Sequence, residues 1–497
     1  MASKKSIAFF SLLFLSLLHP HASLFTSNSS SIQFPTHPSF NSNSPCDHRR
    51  PSTPPPAPLK LHLRQLKQSL LNSTLKDFSR IQTILANKND RKKHKEEAGQ
   101  RRSHHRRLSE TAAAMMATLE SGVSLGSGEY LMDVFVGTPP RHFSVILDTG
   151  SDLNWLQCLP CRDCFDQHGP VFDPAASSSY RAVTCGDSRC SLVASSSTSP
   201  TCRSPAEPCP YFYWYGDQSN TTGDLAVETF TVNLTSSSSP SRRVHEVLFG
   251  CGHWNRGLFR GAAGLLGLGR GPLSFASQLS SLYGHGFSYC LVDRDSDISV
   301  SSKLIFGEDE QLLSHPHLNY TSFVSAKNKN NNNDSVDTFY YVQIKTVSVD
   351  GVKLNISQKL WELADDGSGG TIVDSGTTLT YFADPAYQII REAFLNSVKT
   401  YPVIEDFPVL SPCYNVSGVD RLELPSFAIE FADGANWEFP TENYFIRLEP
   451  EIVCLAILGT PRSALSILGN YQQQNFHVLY DLKNSRLGFA PRRCAEV

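Results

Sequence analysis

The stretch VILDTGS at residues 145–151 has a counterpart in the second half of the chain, IVDSGT at residues 372–377, whose aspartate lies 226 residues further along. In each stretch an apolar run is followed by Asp148 or Asp374, a hydroxyl residue, a glycine and a second hydroxyl residue. The apolar run predicts the end of a buried strand, and the small residues predict a tight turn. A carboxylate on each of two equivalent turns is what a two-carboxylate acid–base catalyst requires.

Other features of the chain also occur twice. A strand that begins with tyrosine is predicted before each turn, at residues 130–136 and 341–349, and an apolar-apolar-glycine tract follows each turn, at residues 265–267 and 467–469. Two lobes of one design, related by a pseudo-twofold axis, would bring the two aspartate turns face to face. The remaining pattern is one of short strands separated by Gly and Pro turns, with one clear helix predicted over residues 385–398. We therefore predict a mainly β, bilobal fold with the active cleft between the lobes.

The front of the chain has the features of a segment that is removed. Lys4 and Lys5 precede an uncharged, mostly apolar stretch at residues 7–18, which indicates a secretory signal peptide over residues 1–23. A membrane anchor is the alternative, but the apolar stretch is too short to span a bilayer. Residues 24–119 are interpreted as a pro-segment that contains a Pro-rich spacer and leucines at helical spacing between residues 60 and 86.

Charge separates the pro-segment from the body. Residues 60–107 carry 14 Lys and Arg against 4 Asp and Glu, whereas residues 108–497 carry 26 against 42, an asymmetry that the net charge of −3 hides. A basic tract of this kind can bind nucleic acid, but here it lies between a secretory signal and an acidic body. We predict that the body binds its own pro-segment partly by opposite charge, with no nucleic-acid or membrane partner. Acid and added salt should weaken that attraction.

The 13 cysteines agree with an oxidising compartment. One of them, Cys46, lies in the pro-segment, and the other twelve allow six disulfides whose pairing the sequence leaves open. Seven lie within residues 158–209, a Pro-, Ser- and Gly-rich stretch that is interpreted as a disulfide-held insertion. Zinc binding is the alternative at the Cys-x-x-Cys-x-x-Cys spacing, but no His-x-x-x-His follows. The disulfide candidates are Cys158, Cys161, Cys164, Cys185, Cys190, Cys202, Cys209, Cys251, Cys290, Cys413, Cys454 and Cys494.

Six Asn-x-Ser/Thr sequons after residue 108 are candidate glycosylation sites. They begin at Asn220, Asn233, Asn319, Asn333, Asn355 and Asn415. Together with the signal peptide they predict a secreted glycoprotein of the extracellular space or cell wall, with the vacuole or a plastid as alternative destinations.

The order of these motifs resembles that of the pepsin-like aspartic peptidases across residues 130–491. The shared elements are the two aspartate turns, Tyr215-Gly216 in a hairpin, and the tracts LLGLG at residues 265–269 and ILGN at residues 467–470. The Cys-rich insertion after Trp155 and the twelve cysteines resemble the nepenthesin-type branch found in plants. The resemblance implies a pepsin-like fold with an N-terminal lobe at residues 130–306 and a C-terminal lobe at residues 338–491.

The resemblance also implies a catalytic pair, Asp148 and Asp374. Two carboxylates about 3 Å apart repel each other, so the pair keeps one proton where two isolated groups would lose both, which is a known property of aspartic-protease pairs. The charged member then accepts a proton from a water, and the neutral member donates one toward the scissile carbonyl. Because the pair titrates as a unit, neither role is assigned to a particular residue. This chemistry requires no metal and no cofactor.

Further roles follow from the resemblance, position by position. Thr149 and Ser375 are similar to the hydroxyls that connect the two turns across the pseudo-twofold axis. Ser151 and Thr377 are similar to those that hydrogen-bond the outer carboxylate oxygens, and Gly150 and Gly376 bring backbone N–H groups close to the carboxylates.

The predicted flap contains Tyr215 and Gly216, with Trp155 as the partner of the tyrosine. Burial of Tyr215 or Trp155 as ordinary core aromatics is the alternative. Gln218 stands where the family usually has a glycine. A flap-tip conformation that needs a positive φ is less favourable for glutamine than for glycine, so this position departs from the family pattern.

The function implied is that of a secreted, monomeric aspartic endopeptidase that is made as a zymogen and is most active in acid. Its predicted substrates are extended polypeptides cut at apolar residues. The alternative is a catalytically silent pepsin-fold protein that acts as a binding or inhibitor protein of the plant cell wall, since relatives of that class lack one catalytic aspartate. Both aspartates and all four hydroxyl residues are present here, which favours the enzyme.

Overall fold

The computed structural model describes Asp77 and residues 115–121, 128–193, 201–215, 219–233, 241–257, 259, 261–294, 296, 300–325, 338–365, 367–405, 407, 409–460 and 465–496. Several sequence-based predictions lie outside these residues: the signal peptide, the Pro-rich spacer, Cys46, Gly216, Gln218, Asn333 and, apart from Asp77, the leucine-spaced and basic parts of the pro-segment.

Strands dominate the described residues, as the sequence predicts. They are β1 (Met115–Ser121), β2 (Tyr130–Val136), β3 (Arg141–Asp148), β4 (Trp155–Gln157), β5 (Arg181–Ala182), β6 (Pro210–Trp214), β7 (Asn220–Asn233), β8 (Ser241–Arg256), β9 (Gly264–Gly267), β10 (Gly286–Cys290), β11 (Ser302–Phe306), β12 (Asn319–Val324), β13 (Tyr341–Val342), β14 (Ile344–Val349), β15 (Val352–Lys353), β16 (Thr371–Val373), β17 (Thr380–Ala383), β18 (Val403–Ile404), β19 (Cys413–Asn415), β20 (Phe427–Phe431), β21 (Asn436–Phe439), β22 (Phe445–Glu449), β23 (Ile452–Leu455), β24 (Ile457–Thr460), β25 (Ser466–Leu468), β26 (Phe476–Asp481) and β27 (Arg486–Pro491).

Helices are few and short in the described part of the chain. The α-helices are α1 (Phe275–Tyr283), α2 (Glu310–Leu313), α3 (Asp384–Ser397) and α4 (Asn470–Gln473), and the 3₁₀ turns are Pro174–Ala176, Ser188–Leu192, Gln358–Leu360, Thr441–Asn443 and Cys494–Glu496. Helix α3 agrees with the helix predicted over residues 385–398 to within one residue, and it buries Tyr387, Ile390 and Phe394 on one face. None of the described helices has the length and apolar character needed to cross a bilayer.

The two aspartate strands have the same neighbours. Strand β3 pairs in parallel with β9, so that Ile146 lies opposite Leu265, and β16 pairs in parallel with β25, so that Ile372 lies opposite Ile467. The apolar-apolar-glycine tracts are therefore the strands that support the two turns.

The glycines that end these tracts are required by close packing. A Cβ added to Gly267 would lie 2.5 Å from the carbonyl carbon of Asp152, and one added to Gly469 would lie 2.2 Å from the carbonyl oxygen of Leu379. Both distances are well inside van der Waals contact, so a side chain at either position would push the support strand away from its aspartate turn.

The predicted strand at residues 341–349 is divided into two. Strand β13 pairs with β12 and β16 in the large sheet, whereas β14 pairs with β15 and β20 in a separate sheet of four strands. Tyr341 packs in one core cluster while Val342 and Ile344 pack in another. The side chains on either side of this stretch are therefore buried in different cores, at the point where the chain passes from one sheet to the other.

The two halves of the body are joined by paired strands. Strand β10 pairs with β26, β12 pairs with β27, and a disulfide links Cys290 to Cys494. Strand β1 adds to the same sheet by pairing with both β11 and β2. Its side chains Met115, Ala117 and Leu119 are completely buried. Residues 115–119, which the sequence-based interpretation assigns to the pro-segment, thus pack as part of the body.

All twelve candidate cysteines form disulfides. The pairs are Cys158–Cys251, Cys161–Cys164, Cys185–Cys202, Cys190–Cys209, Cys290–Cys494 and Cys413–Cys454. Three of the bridges lie within the Cys-rich insertion, and a fourth ties it to β8. The zinc alternative required free thiolates, whereas the sulfurs of that spacing are bonded to one another or to Cys251. Each bridge stabilises the folded chain by about 2–4 kcal/mol.

Candidate active site

The first aspartate turn begins where β3 ends. Asp148 is fully buried, and its carboxylate is held by two donors from its own turn. The backbone N–H of Gly150 donates to Oδ1 at 2.9 Å, and the hydroxyl of Ser151 donates to Oδ2 at 2.5 Å. Hydrogen bonds from both partners fix the plane of the carboxylate.

The second turn repeats this arrangement after β16. Asp374 is also fully buried. The N–H of Gly376 donates to its Oδ1 at 2.9 Å, and the hydroxyl of Thr377 donates to its Oδ2 at 2.6 Å. The donor types, their positions in the turn and their distances match those of the first turn, as expected for a duplicated structure.

The two turns are bonded directly to each other through Thr149 and Ser375. The Thr149 N–H donates to Ser375 Oγ at 3.1 Å, and the Ser375 N–H donates to Thr149 Oγ1 at 2.8 Å. Each hydroxyl then donates to a carbonyl on the opposite strand, Thr149 to Val373 at 3.5 Å and Ser375 to Leu147 at 3.1 Å. These four bonds hold the two aspartate turns together, although Thr149 and Ser375 are 226 positions apart in the chain.

A second connection runs beneath the turns, and no sequence motif indicates it. The Tyr480 hydroxyl lies close enough to the side chain of Thr149 for that side chain to lower its pKa, and it is 2.8 Å from the Tyr289 hydroxyl, which donates to Gln473. Gln473 in turn donates to the Leu468 carbonyl at 2.9 Å.

The far end of this chain of bonds reaches the second turn. The Leu468 carbonyl also accepts the backbone N–H of Asp374 at 3.1 Å. Burial raises the pKa of Tyr289 and of Tyr480 well above the ordinary value, so both hydroxyls stay protonated and can donate. The hydrogen-bonded series from Tyr480 through Tyr289 and Gln473, here called the tyrosine relay, therefore runs from a hydroxyl beside Thr149 to the carbonyl that accepts the Asp374 N–H.

The predicted flap residues lie on the side of Asp148. Tyr215 follows β6, and its N–H donates to the Ser219 carbonyl at 2.8 Å, closing the β6–β7 hairpin. The Trp155 indole N–H donates to the Tyr215 hydroxyl at 2.7 Å. Burial raises the pKa of Tyr215, and the nearby charges of Tyr213 and Asp148 raise it further. The predicted Tyr215–Trp155 pairing is thus present, although both side chains are also buried in a core cluster.

Two phenylalanines that the sequence analysis did not single out complete an aromatic wall. The ring of Phe259 lies 5.0 Å from Trp155 and 5.9 Å from Tyr215, measured between centroids. Phe165, from the Cys-rich insertion, lies 4.8 Å from Phe259. Their residue type alone could not identify them, because 29 phenylalanines occur in the chain.

An acidic side chain from the N-terminal part of the chain lies next to the second turn. Asp77 is 1% exposed, and it accepts hydrogen bonds from the backbone N–H groups of Thr378 and Leu379 and from the Tyr381 hydroxyl, each at 3.1 Å. Burial raises the pKa of Asp77 most, the backbone hydrogen bonds from Thr378 and Leu379 lower it, and the charge of Glu129 raises it. The net result is a pKa of about 7. The sequence predicted basic contacts from this region and gave no reason to expect a buried acid.

Four of the predicted glycosylation sites fall on described side chains. Asn319, Asn355 and Asn415 are exposed and Asn220 is partly exposed, so all four are accessible to some degree. Among the described residues, the cluster of metal-ligand type is Cys185, Cys190 and Cys202, and each of these sulfurs belongs to a disulfide.

Comparison with known sequences gives consistent matches. The family described as Xylanase inhibitor N-terminal matches residues 130–308, and Xylanase inhibitor C-terminal matches residues 339–491. Aspartyl protease family protein 2 from Arabidopsis thaliana is 41% identical over 381 residues, which are 76% of this chain and 74% of that protein. Aspartic proteinase nepenthesin-1 from Nepenthes gracilis is 39% identical over 379 residues, which are 76% of this chain and 80% of that protein.

Solved structures share the fold at lower identity. The crystal structure of edgp matches with a TM-score of 0.63 and 20% identity, covering 78% of this chain and 97% of that one. Basic 7S globulin from soybean matches with a TM-score of 0.59 and 20% identity, covering 77% of this chain and 98% of that one. At this level of identity the likeness shows the fold alone.

Proposed function

Because this chain belongs to the family of plant aspartic proteases that includes the nepenthesins, we propose that it is itself an aspartic endopeptidase that hydrolyses polypeptides. The observation that carries the proposal is the equivalence of the two turns. Asp148 and Asp374 each accept one backbone N–H and one hydroxyl hydrogen bond, and Thr149 and Ser375 bond the turns to each other. A protein that had lost catalysis would have no need of two matched carboxylates held in this way.

The reaction proposed uses the pair as one acid and one base. The ionised carboxyl accepts a proton from a water, whose oxygen bonds to the carbon of the scissile carbonyl. The neutral carboxyl donates its proton to the carbonyl oxygen, and a tetrahedral intermediate forms. The carboxyl that took the water proton then gives it to the amide nitrogen and the C–N bond breaks. The other carboxylate takes a proton from a hydroxyl of the intermediate, which restores the carbonyl and returns the pair to its starting state. The reaction needs one member of the pair ionised and one neutral, so activity should be greatest in acid.

Substrate recognition is proposed to involve the aromatic wall. Trp155 and Phe259 pack against Tyr215, which lies close enough to Asp148 for the carboxylate charge to raise its pKa. We propose that an apolar side chain bound beside Asp148 packs against this aromatic wall. The Tyr215 hydroxyl is held by Trp155, which supports a hairpin that covers an extended polypeptide in the cleft.

Secretion and synthesis as a zymogen are also part of the proposal. Six disulfides and accessible sequons support an oxidising, glycosylating route, and the signal-like N-terminus supports secretion to the extracellular space or wall, with the vacuole or a plastid as alternatives. The mature form is proposed to act as a monomer.

The alternative function is that of a pepsin-fold binding or inhibitor protein, and the matching family descriptions name xylanase inhibitors. The test is cleavage of an acid-denatured protein by the purified chain, with and without a statine-type inhibitor, between about pH 2 and 6. Cleavage that the inhibitor stops, and that is lost in both Asp148→Asn and Asp374→Asn, is expected.

The matched control for this test is Asp173→Asn. Asp173 caps a 3₁₀ turn at residues 174–176 and accepts from Ala175 N–H, so its replacement removes a carboxylate outside the site. A folded chain that shows no inhibitor-sensitive cleavage at any pH in this range would support the binding protein instead.

A further inference from the structure

The groups that surround the side chain of Asp77 form a binding site for a carboxyl group. Its donors are two consecutive backbone N–H groups, from Thr378 and Leu379, and the hydroxyl of Tyr381. The Thr378 N–H reaches both carboxylate oxygens, at 3.1 Å and 3.2 Å. A carboxylate can be buried only if its oxygens are hydrogen-bonded, and this set of donors serves both.

The pocket lies directly beside the catalytic machinery. Thr378 follows Thr377, whose hydroxyl holds Asp374 at 2.6 Å. On the other side, Glu129, which precedes β2 in the first half of the chain, is close enough to Asp77 to affect its charge state. Asp77 therefore lies where the second aspartate turn and the start of the first half of the body come together.

The occupant comes from far away in the sequence. Asp77 is separated from Thr378 by 301 residues, and it belongs to the segment interpreted as removable. Among the described residues, Asp77 shares no turn or strand with residues 378–381, so its side chain is held there by tertiary contact.

We infer that Thr378, Leu379 and Tyr381 form a pocket for a carboxyl group whose ligand in the precursor is the side chain of Asp77, and that this contact beside the second aspartate turn helps to keep the precursor inactive. The inference rests on the proposed function, since it explains how the precursor of such an enzyme is kept inactive. It differs from attraction between a basic tract and an acidic body, because the anchor is itself an acid.

The pocket can be tested without any catalytic activity. Hydrogen exchange, read by mass spectrometry on the peptide that contains residues 378 and 379, reports directly on the two donor amides. The full precursor is used with Asp148→Asn to prevent self-cleavage. Adding Asp77→Ala should speed exchange of these amides by at least about tenfold, because each amide loses its hydrogen-bond acceptor.

Control variants separate this contact from general effects. Asp90→Ala removes an acid from the same basic tract and should leave exchange at residues 378 and 379 unchanged. Tyr381→Phe removes one donor from the body side, so it should speed exchange in the same direction as Asp77→Ala but by less. Unchanged exchange in Asp77→Ala, or an equal increase in Asp90→Ala, would overturn the inference.

A second measurement tests the inhibitory role. In the otherwise unaltered precursor, Asp77→Ala should shorten the time before inhibitor-sensitive cleavage appears, by about tenfold, whereas Asp90→Ala should not. Equal activation times for the unaltered precursor and Asp77→Ala would remove the inhibitory role.

The failure of one proposal is distinguishable from the failure of the other. Faster exchange in Asp77→Ala without cleavage by any form would keep the pocket and remove the proposed function. Inhibitor-sensitive cleavage with unchanged exchange would keep the function and remove the pocket.

Discussion

Thr149 and Ser375 each donate a backbone N–H to the other's hydroxyl oxygen, at 3.1 Å and 2.8 Å. Both residues are completely buried, so neither N–H has water as a substitute partner. The geometry of each aspartate turn consequently depends on a residue in the other half of the chain.

Replacing Ser375 by Ala should therefore damage both stability and catalysis. The Thr149 N–H would lose its acceptor inside the protein, which costs about 1–3 kcal/mol of unfolding free energy. The second turn would also lose the bond from the Ser375 hydroxyl to the Leu147 carbonyl and would keep only the bond from its own N–H to Thr149, so kcat should fall by more than KM changes. Denaturant unfolding and steady-state kinetics measure the two effects.

The conservative change Ser375→Thr is the matched control for this prediction. It keeps the hydroxyl and should retain most of the activity if its extra methyl group is accommodated. An Ala variant with wild-type kcat would show that the reciprocal bonds do not position the aspartates.

The tyrosine relay gives a second prediction. Tyr480→Phe removes the hydroxyl that lies beside Thr149 and Tyr289 while it keeps the buried ring. We expect kcat to fall by about tenfold with little change in KM, and the acid limb of the pH–rate profile to move, since the relay supports both turns. Tyr289→Phe should behave similarly, and the double variant should be little worse than either single one.

The control for the relay is Tyr387→Phe on helix α3, which removes a tyrosine hydroxyl outside the site that donates to the Ser411 carbonyl. It should lower stability slightly and leave the pH profile unchanged. An identical kinetic effect in Tyr387→Phe and Tyr480→Phe would show that the relay acts only through stability.

The contact of Asp77 predicts a pH dependence with a definite sign. Its pKa rises from the ordinary 3.8 to about 7 when it is docked, so the docked state holds a proton more tightly than the free state. The contact should then contribute its full stabilisation below about pH 4 and lose it as pH rises through 7. The facing titratable groups are Glu129, which adds to the shift, and Tyr381, whose raised pKa keeps it neutral.

The measurement compares the precursor with its Asp77→Asn variant, which cannot ionise. The difference in exchange rate at residues 378 and 379 should change between about pH 4 and 8, with docking by the natural Asp77 weakening toward neutral pH. Contacts of the basic tract with the acidic body should respond in the opposite direction, weakening in acid. A docking strength of Asp77 that increases with pH would contradict the assignment of a protonated, buried acid.

The position of β1 predicts where the mature chain can begin. Met115, Ala117 and Leu119 are buried, and β1 pairs with both β2 and β11. Removal of residues through 121 would take these side chains out of the core and expose the apolar surface that they cover, at a cost of about 1.5–3 kcal/mol for each residue of the size of Met or Leu. We expect the mature N-terminus to precede Met115.

Mass spectrometry of the purified active form measures this end directly. As a control, a chain that begins at residue 122 should have a lower melting temperature than one that begins at residue 109. Equal melting temperatures would show that β1 is dispensable, and the processing site could then lie on either side of it.

Several features were determined by the sequence alone because they depend on neighbouring residues. The two aspartate turns, the hydroxyl donors at their third following position, the tracts that end in Gly267 and Gly469, and helix α3 all follow from local pattern and turn chemistry. The order of these motifs was enough to predict the pepsin-like fold, which the relatives and the solved structures confirm.

Tertiary structure alone decided the contacts between residues that are distant along the chain. The pairing of twelve cysteines, the tyrosine relay, the contribution of Phe165 to the aromatic wall and the docking of Asp77 join positions that carry no common motif. Burial and hydrogen-bond satisfaction select such partners only when the whole chain has packed, so an ordinary Tyr, Phe or Asp in the sequence gives no indication of them.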